Sequence, residues 1–257
     1  MAGTAIAFDD VSKRFGGHAA LSGVSLTIAS GEFVALVGAS GSGKTTLLKT
    51  INRLVAPDSG TVTLGGVDVA AGPASEIRRK IGYVFQEIGL FPHLTVAENI
   101  GVTPGLLGWP VERIAARVSE LLDLVSLPAA VAARRPAALS GGQRQRVGVA
   151  RALAAEPALL LMDEPFGALD PITREALGAD VRALHDRLGL TTVMVTHDMA
   201  EAVLLADRIV VLDAGAVIAD GAPVDLVRTA TDPRVRALID APRRQAARLA
   251  ERLGGGA

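Results

Sequence analysis

A chain of 257 residues, 49% hydrophobic and 21% charged, is long enough to bury a large core and too apolar to stay disordered. Lys plus Arg number 26 and Asp plus Glu 27, a formal charge of −1, so a nucleic-acid partner held by bulk charge is not expected. The absence of cysteine removes disulfides, thiolate metal sites and a cysteine nucleophile, and despite a mean hydropathy of +0.37 no apolar run nears the roughly 18 residues of a membrane helix.

Met1 to Asp10 lacks a basic stretch followed by an apolar one, so no signal peptide is expected. Ala5 to Val11 is strand-like, and Val24 to Ile28 alternates apolar and polar as a half-buried strand does. Glu32 to Val37 is a short apolar run between glycines, the pattern of a buried strand. A glycine-rich segment comes next, and Thr46 to Leu54 has helical character. Pro57-Asp58-Ser59-Gly60 reads as a turn, Thr61 to Leu64 as a strand closed by Gly65-Gly66, and Ile81 to Phe85 as another strand. Ile114, Val118, Leu121, Leu122 and Val125 recur at helical spacing. Beyond them, short apolar strands at Ala158 to Asp163, Thr191 to Thr196 and Arg208 to Leu212 alternate with helical stretches at Thr173 to Leu188 and Met199 to Leu205. Strand–helix alternation implies an α/β fold with a mainly parallel sheet and helices on its faces. Residues from about 88 to 148 would then be a helical insertion. Residues past Pro223 read as polar, and 241–257 as a short polar C-terminal tail. Arg243, Arg244, Arg248 and Arg252, interleaved with Leu249 and Leu253, fit a solvated end better than a basic amphipathic helix.

Three motifs carry chemistry. Gly38-Ala39-Ser40-Gly41-Ser42-Gly43-Lys44-Thr45 fits G-x-x-x-x-G-K-[ST], with a strand before it and a helix after it. The glycines turn backbone N–H groups inward around phosphate oxygens, and the helix points its positive end at the same anion. Lys44 is expected to reach the β- and γ-phosphates of a nucleotide, and the Thr45 hydroxyl to ligate Mg²⁺. About 110 residues later the apolar strand Leu159-Leu160-Leu161-Met162 ends in Asp163-Glu164. Asp163 is expected to hold Mg²⁺ through water, and Glu164 to polarise the attacking water as general base. The third motif, Leu139-Ser140-Gly141-Gly142-Gln143, opens a helix. Ser and two Gly there make either a second anion-binding helix terminus or a plain cap with Ser140 as the capping residue. One nucleotide does not need two such sites from one subunit, so the segment could complete the pocket of a second copy. The four histidines lack metal-ligand spacing, and no nucleophilic triad is spaced as in a hydrolase.

Gly38–Thr46, Gln86, Leu139–Gln143, Asp163–Glu164, Ala168-Leu169-Asp170 and His197 together resemble the ATP-binding subunits of ABC transporters, in that family's order and spacing, and the resemblance implies one domain over residues 4–240, nearly the whole chain. The resemblance implies a P-loop NTPase, RecA-like fold with an N-terminal antiparallel β subdomain and an inserted α-helical subdomain. It implies ATP and Mg²⁺ as cofactors, with Phe15 stacking on adenine, Thr46 completing the phosphate loop, Gln86 touching Mg²⁺ and sensing the γ-phosphate, and His197 contacting the γ-phosphate as a switch. Asp170 would link two sites across a dimer in which Ser140, Gly141, Gly142 and Gln143 face the partner copy's ATP. Gly167 stands where many relatives have Ser, so one side-chain contact is lost. The implied partners are a second copy, integral membrane permease subunits docking near Glu87 to Leu94 and, indirectly, an extracytoplasmic substrate-binding protein. The implied location is peripheral, on the cytoplasmic face of the cell membrane. By composition alone Glu87 to Leu94 could equally be ordinary core. Ile51-Asn52-Arg53-Leu54, Gln86 to Pro92, Leu106-Leu107-Gly108-Trp109 and Gly167 to Arg174 look like bacterial importers of glycine betaine, choline or carnitine. The alternatives are an importer ATPase for an amino acid, sulfonate or polyamine, and a non-transport ABC ATPase. A metabolic P-loop kinase does not account for Ser140–Gln143.

Overall fold

The computed structural model describes residues 3–254, and two sheets organise them. The first is antiparallel, in the order β2(His18–Ile28), β1(Ile6–Phe15), β4(Ser59–Leu64), β5(Val67–Asp68). The second runs β10(Ala216–Gly221), β9(Arg208–Asp213), β3(Phe33–Val37), β8(Thr191–Val195), β7(Leu159–Asp163), β6(Ile81–Val84). All its pairs are parallel except β9 with β10. Both faces of this sheet are covered, which is why its strands read as continuous apolar runs.

Side-chain alternation along each strand divides the core in two. Val34 and Leu36 of β3 with Leu159 and Leu161 of β7 point toward the antiparallel sheet, and Leu47, Leu48 and Ile51 of α1(Lys44–Ile51) fill the space between. Ala35 and Val37 with Leu160 and Met162 point the other way, into a core shared with α3(Val96–Leu106), α4(Val111–Leu124), α5(Gly141–Leu153), α6(Pro171–Leu188) and α7(Met199–Leu205). The short α2(Ala74–Arg79) precedes β6. Two 3-10 turns, Ala129–Val131 and Pro136–Ala138, join α4 to α5. Thr95 opens α3 with a capping box in which its hydroxyl accepts from the Glu98 N–H and the Glu98 carboxylate accepts from the Thr95 N–H.

Several elements depart from the sequence reading. Ser59 and Gly60 belong to β4 rather than to a turn, because Ser59 pairs with Ser12 of β1. A hairpin partner, β10, comes after β9 by way of Ala214 and Gly215, both at positive φ. The polar C-terminal tail is helical: Pro223 opens α8(Pro223–Thr229) and Pro233 opens α9(Pro233–Gly254), which runs through most of 241–257. Proline at the first helical position is favourable, since its missing N–H has no intrahelical partner there anyway. Val235 and Ile239 anchor the start of α9 in the core. Among the described residues no helix is long and apolar enough to cross a membrane.

Candidate active site

Strand order creates the site. β8 lies between β3 and β7, with Val195 opposite both Leu36 and Asp163. The carboxyl ends of the three strands are therefore level, and the residues that leave them gather at one edge, where ligands of open α/β sheets bind. After β3 comes the Gly38–Thr45 loop, after β7 Glu164, and after β8 Thr196 and His197. Two backbone bonds fix the exits: Glu164 N–H to the Val195 carbonyl at 3.0 Å, and Thr196 N–H to the Leu36 carbonyl at 3.2 Å.

The loop is compact. Lys44 is 6% exposed, and its ammonium donates to the carbonyls of Gly38 at 2.9 Å and Ala39 at 2.7 Å. Burial pushes Lys44 below the usual lysine range, against the opposing pull of Glu164 and Asp163. Ser42 is buried beneath the loop, Ser40 and Gly41 are exposed at its tip, and Thr46 is half-buried on the first turn of α1. Gly43 sits at φ 104°, a conformation side chains resist, and a Cβ there would be driven into the Ala20 carbonyl. Gly43→Ala is accordingly expected to cost about 2 kcal/mol or more of stability, read as a lowered urea midpoint at unchanged slope.

Asp163 is buried at the end of β7. Its Oδ1 accepts from the Thr45 hydroxyl at 2.8 Å and its Oδ2 from the Tyr83 phenol at 3.3 Å, with Lys49 Nζ 3.6 Å away. Burial first, then the charge of Asp163, raise the Tyr83 pKa and keep the phenol a neutral donor. Glu164 adopts φ 46°, uncommon for a side-chain-bearing residue and of the kind that clusters at functional sites. Its Oε2 meets both Gln86 Nε2 at 3.2 Å and His197 Nδ1 at 3.4 Å. Three residues far apart in sequence thus converge on one carboxylate. A Cβ on Gly167 would lie 4.0 Å from the same oxygen, so the side chain missing at 167 is one that would have reached Glu164.

Other expected residues lie elsewhere. Phe15 is 52% exposed at the end of β1, with Lys13 Nζ 5.5 Å from its ring centre. Ser140 caps α5: its hydroxyl accepts from the Gln143 N–H at 3.2 Å, and Gln143 Oε1 accepts from the Ser140 N–H at 3.0 Å. The capping role is therefore real, and it leaves the Gly141 and Gly142 amides at the open helix end. Ser140–Gln143 share a cleft of about 520 Å³ with Asp170, and no phosphate-loop residue lines it. Asp170 caps α6, and hydrogen bonds from the Thr173 side chain and then its N–H hold the Asp170 carboxyl below the usual range.

The stretch after Gln86 is mostly exposed, which removes the reading of it as ordinary core. Arg151 donates to the carbonyls of Ile88 and Gly89, each at 2.6 Å, and Asn99 exchanges two bonds with the Phe91 backbone. Phe85, Phe91 and Leu54, each more than 40% exposed, line a groove of about 420 Å³ with Tyr83 and Val102. Sequence reasoning missed Tyr83 and Lys49, since nothing local in β6 or α1 marks them as neighbours of Asp163.

The chain is similar to several known proteins. The profile of the ABC transporter family matches residues 21–167. The choline transport ATP-binding protein OpuBA of Bacillus subtilis is 50% identical over 235 residues, covering 91% of this chain and 62% of that protein. The glycine betaine uptake ATP-binding protein YehX of Escherichia coli is 50% identical over 228 residues, 88% of this chain and 74% of its own length. A sulfate/thiosulfate import ATP-binding protein, CysA of Thermosynechococcus vestitus, is 49% identical over 234 residues, 91% of this chain and 69% of its own length. Among solved structures, the dimeric bacterial cassette MJ0796 superposes with a TM-score of 0.77 at 36% identity, over 85% of this chain and 98% of that one.

Proposed function

The chain belongs to the ABC transporter family, and from that membership we propose that it hydrolyses ATP to power an importer of quaternary-amine osmoprotectants such as glycine betaine, choline or carnitine. The observation that carries the reading is the meeting of Gln86 and His197 on Glu164, beside a phosphate loop whose Thr45 is bonded to Asp163.

In this reading adenine stacks on Phe15, the phosphates lie in the Gly38–Thr46 loop, and Lys44 exchanges its loop carbonyls for β- and γ-phosphate oxygens. A hydroxyl, a carboxylate and the Gln86 amide oxygen are the hard donors Mg²⁺ takes, with phosphates and water completing its shell. Thr45, Asp163 and Gln86 therefore fit that ion, which when bound neutralises charge on the phosphates. Glu164 accepts the proton of a water whose oxygen bonds the γ-phosphorus as the bond to the ADP oxygen breaks. His197 and Gln86 hold that carboxylate and meet the γ-phosphate.

The separation of Ser140–Gln143 and Asp170 from the phosphate loop supports a second copy that completes each pocket, and the dimeric neighbour fits that assembly. Closure that needs the γ-phosphate would be a ligand-driven population shift. The exposed apolar groove beside Glu87–Leu94 supports docking of integral membrane permease subunits, and in this reading the chain is peripheral, on the cytoplasmic face of the membrane. An extracytoplasmic binding protein would deliver the solute.

The solute rests on the names of OpuBA and YehX, and the chain spans less than two thirds of OpuBA. A second reading, import of another small solute, is favoured by the nearly equal identity to the sulfate/thiosulfate protein. Uptake of labelled glycine betaine, choline, sulfate and an amino-acid mixture separates them, in cells lacking this chain and complemented with wild type or Glu164→Gln. Betaine or choline uptake restored by wild type alone is expected. Uptake restored for sulfate or amino acids only would overturn the solute and leave the ATPase reading standing.

A further inference from the structure

The carboxylate proposed to face Mg²⁺ is held on its second oxygen by a residue that belongs to none of the site's sequence motifs. β6 runs parallel to β7 with Tyr83 opposite Leu161. Paired residues of parallel strands share a face, and so do residues two apart. Tyr83 therefore stands on the face toward which Leu161 and Asp163 project, and its phenol reaches Asp163 Oδ2 at 3.3 Å. Its ring packs against Phe85, with centroids 4.5 Å apart and planes at 53°. The ring also forms part of the groove wall and packs against the core between the sheets. Thr45 occupies Oδ1 at 2.8 Å, so the carboxylate plane is set by two hydroxyls, one from the phosphate loop and one from β6. Lys49 adds charge 3.6 Å from Oδ2, but its long, partly exposed side chain directs less than a phenol on a packed ring.

We propose that Tyr83 is a positioning residue for Asp163, its hydroxyl orienting the carboxylate so that Oδ1 is offered to Mg²⁺ when nucleotide binds. This rests on the proposed role of Asp163 as a carboxylate that faces Mg²⁺. Groups that orient a metal ligand typically change metal affinity 10- to 100-fold when removed.

The test is Tyr83→Phe, which keeps the ring and deletes the bond, made in the Glu164→Gln chain so that ATP is not consumed. Binding of a fluorescent ATP analogue is titrated with Mg²⁺ and repeated in EDTA, alongside thermal unfolding. The Mg²⁺ concentration at half-maximal binding is expected to rise roughly tenfold, with EDTA binding and the melting temperature unchanged. In the chain carrying Glu164, kcat at limiting Mg²⁺ should fall and recover at high Mg²⁺, where KM for ATP is unchanged. A half-point that does not move overturns the role of Tyr83 alone. A Glu164→Gln chain with no Mg²⁺ dependence, before Tyr83 is touched, overturns the underlying role of Asp163. A loss of binding that is equal with and without Mg²⁺, or that comes with a lowered melting temperature, shows a structural role and also overturns the proposal.

Discussion

Glu164→Gln should lower ATP hydrolysis by at least about 100-fold while leaving ATP affinity within a factor of a few. A positioned general base contributes typically 10² to 10⁴ in rate, and the substitution removes the base without changing the shape of the side chain. The surroundings tolerate the swap. Gln86 Nε2 and His197 Nδ1 meet a single oxygen, Oε2, which a glutamine can keep by presenting its amide oxygen there. The backbone bond from Glu164 N–H to Val195 is untouched, and so is the φ of 46°, a cost the folded chain carries with either residue. Phosphate release under saturating ATP measures the first effect, and equilibrium binding of labelled ATP the second. Turnover above a tenth of wild type would show that another group takes the proton. Loss of both turnover and binding would place Glu164 in nucleotide capture.

Legibility in the sequence divides by the range of the forces involved. Gly38–Thr45 is legible because its chemistry is local: glycines at fixed offsets, a strand in, a helix out. The parallel sheet is legible for a related reason, since strands covered on both faces must be apolar throughout, as Phe33–Val37 and Leu159–Met162 are. The strand pattern of β1 stops at Val11, short of the true end at Phe15, because β1 is not a regular amphipathic strand. Its pairing with β2 slips between Phe8 and Val11, Asp10 takes φ 51°, and polar residues on both faces hide the period. The helices after Pro223 have a signal in their leading prolines, outweighed by polar composition; α9 is held at its start by Val235 and Ile239 and needs no long apolar stripe. Tyr83 is illegible because its bond to Asp163 depends on β6 lying beside β7, and β6 precedes β7 by a whole helical region. Strand order also brings Gln86, Glu164 and His197 together, so their meeting is implied by the family resemblance and not by spacing.

Lys44→Ala should abolish tight ATP binding, weakening it by roughly 100-fold or more, and the reason lies in how the loop stores that ammonium. Hydrogen bonds to a charged group contribute about 1.5–3 kcal/mol each. Loss of two such bonds to phosphate oxygens is therefore worth about two decades in affinity or more. Lys44 already sits inside the cradle on the Gly38 and Ala39 carbonyls, so reaching phosphate needs a side-chain rotation rather than a rearrangement of the loop. Burial lowers its pKa, with the carboxylates of Glu164 and Asp163 acting in the opposite direction. Deleting the side chain also leaves two loop carbonyls without a donor, and the loop is expected to admit water there. The loss should appear as affinity, with α1 still folded on Leu47, Leu48 and Ile51, all fully buried. Calorimetric titration with ATP and thermal unfolding of the same sample separate the two effects. An unchanged melting temperature with binding lost assigns Lys44 to phosphate. Binding within tenfold of wild type would mean that the backbone amides and the helix terminus carry the anion without it. Paired with Glu164→Gln, the result separates capture of the nucleotide from its cleavage, because Glu164→Gln is expected to keep the ATP binding that Lys44→Ala loses.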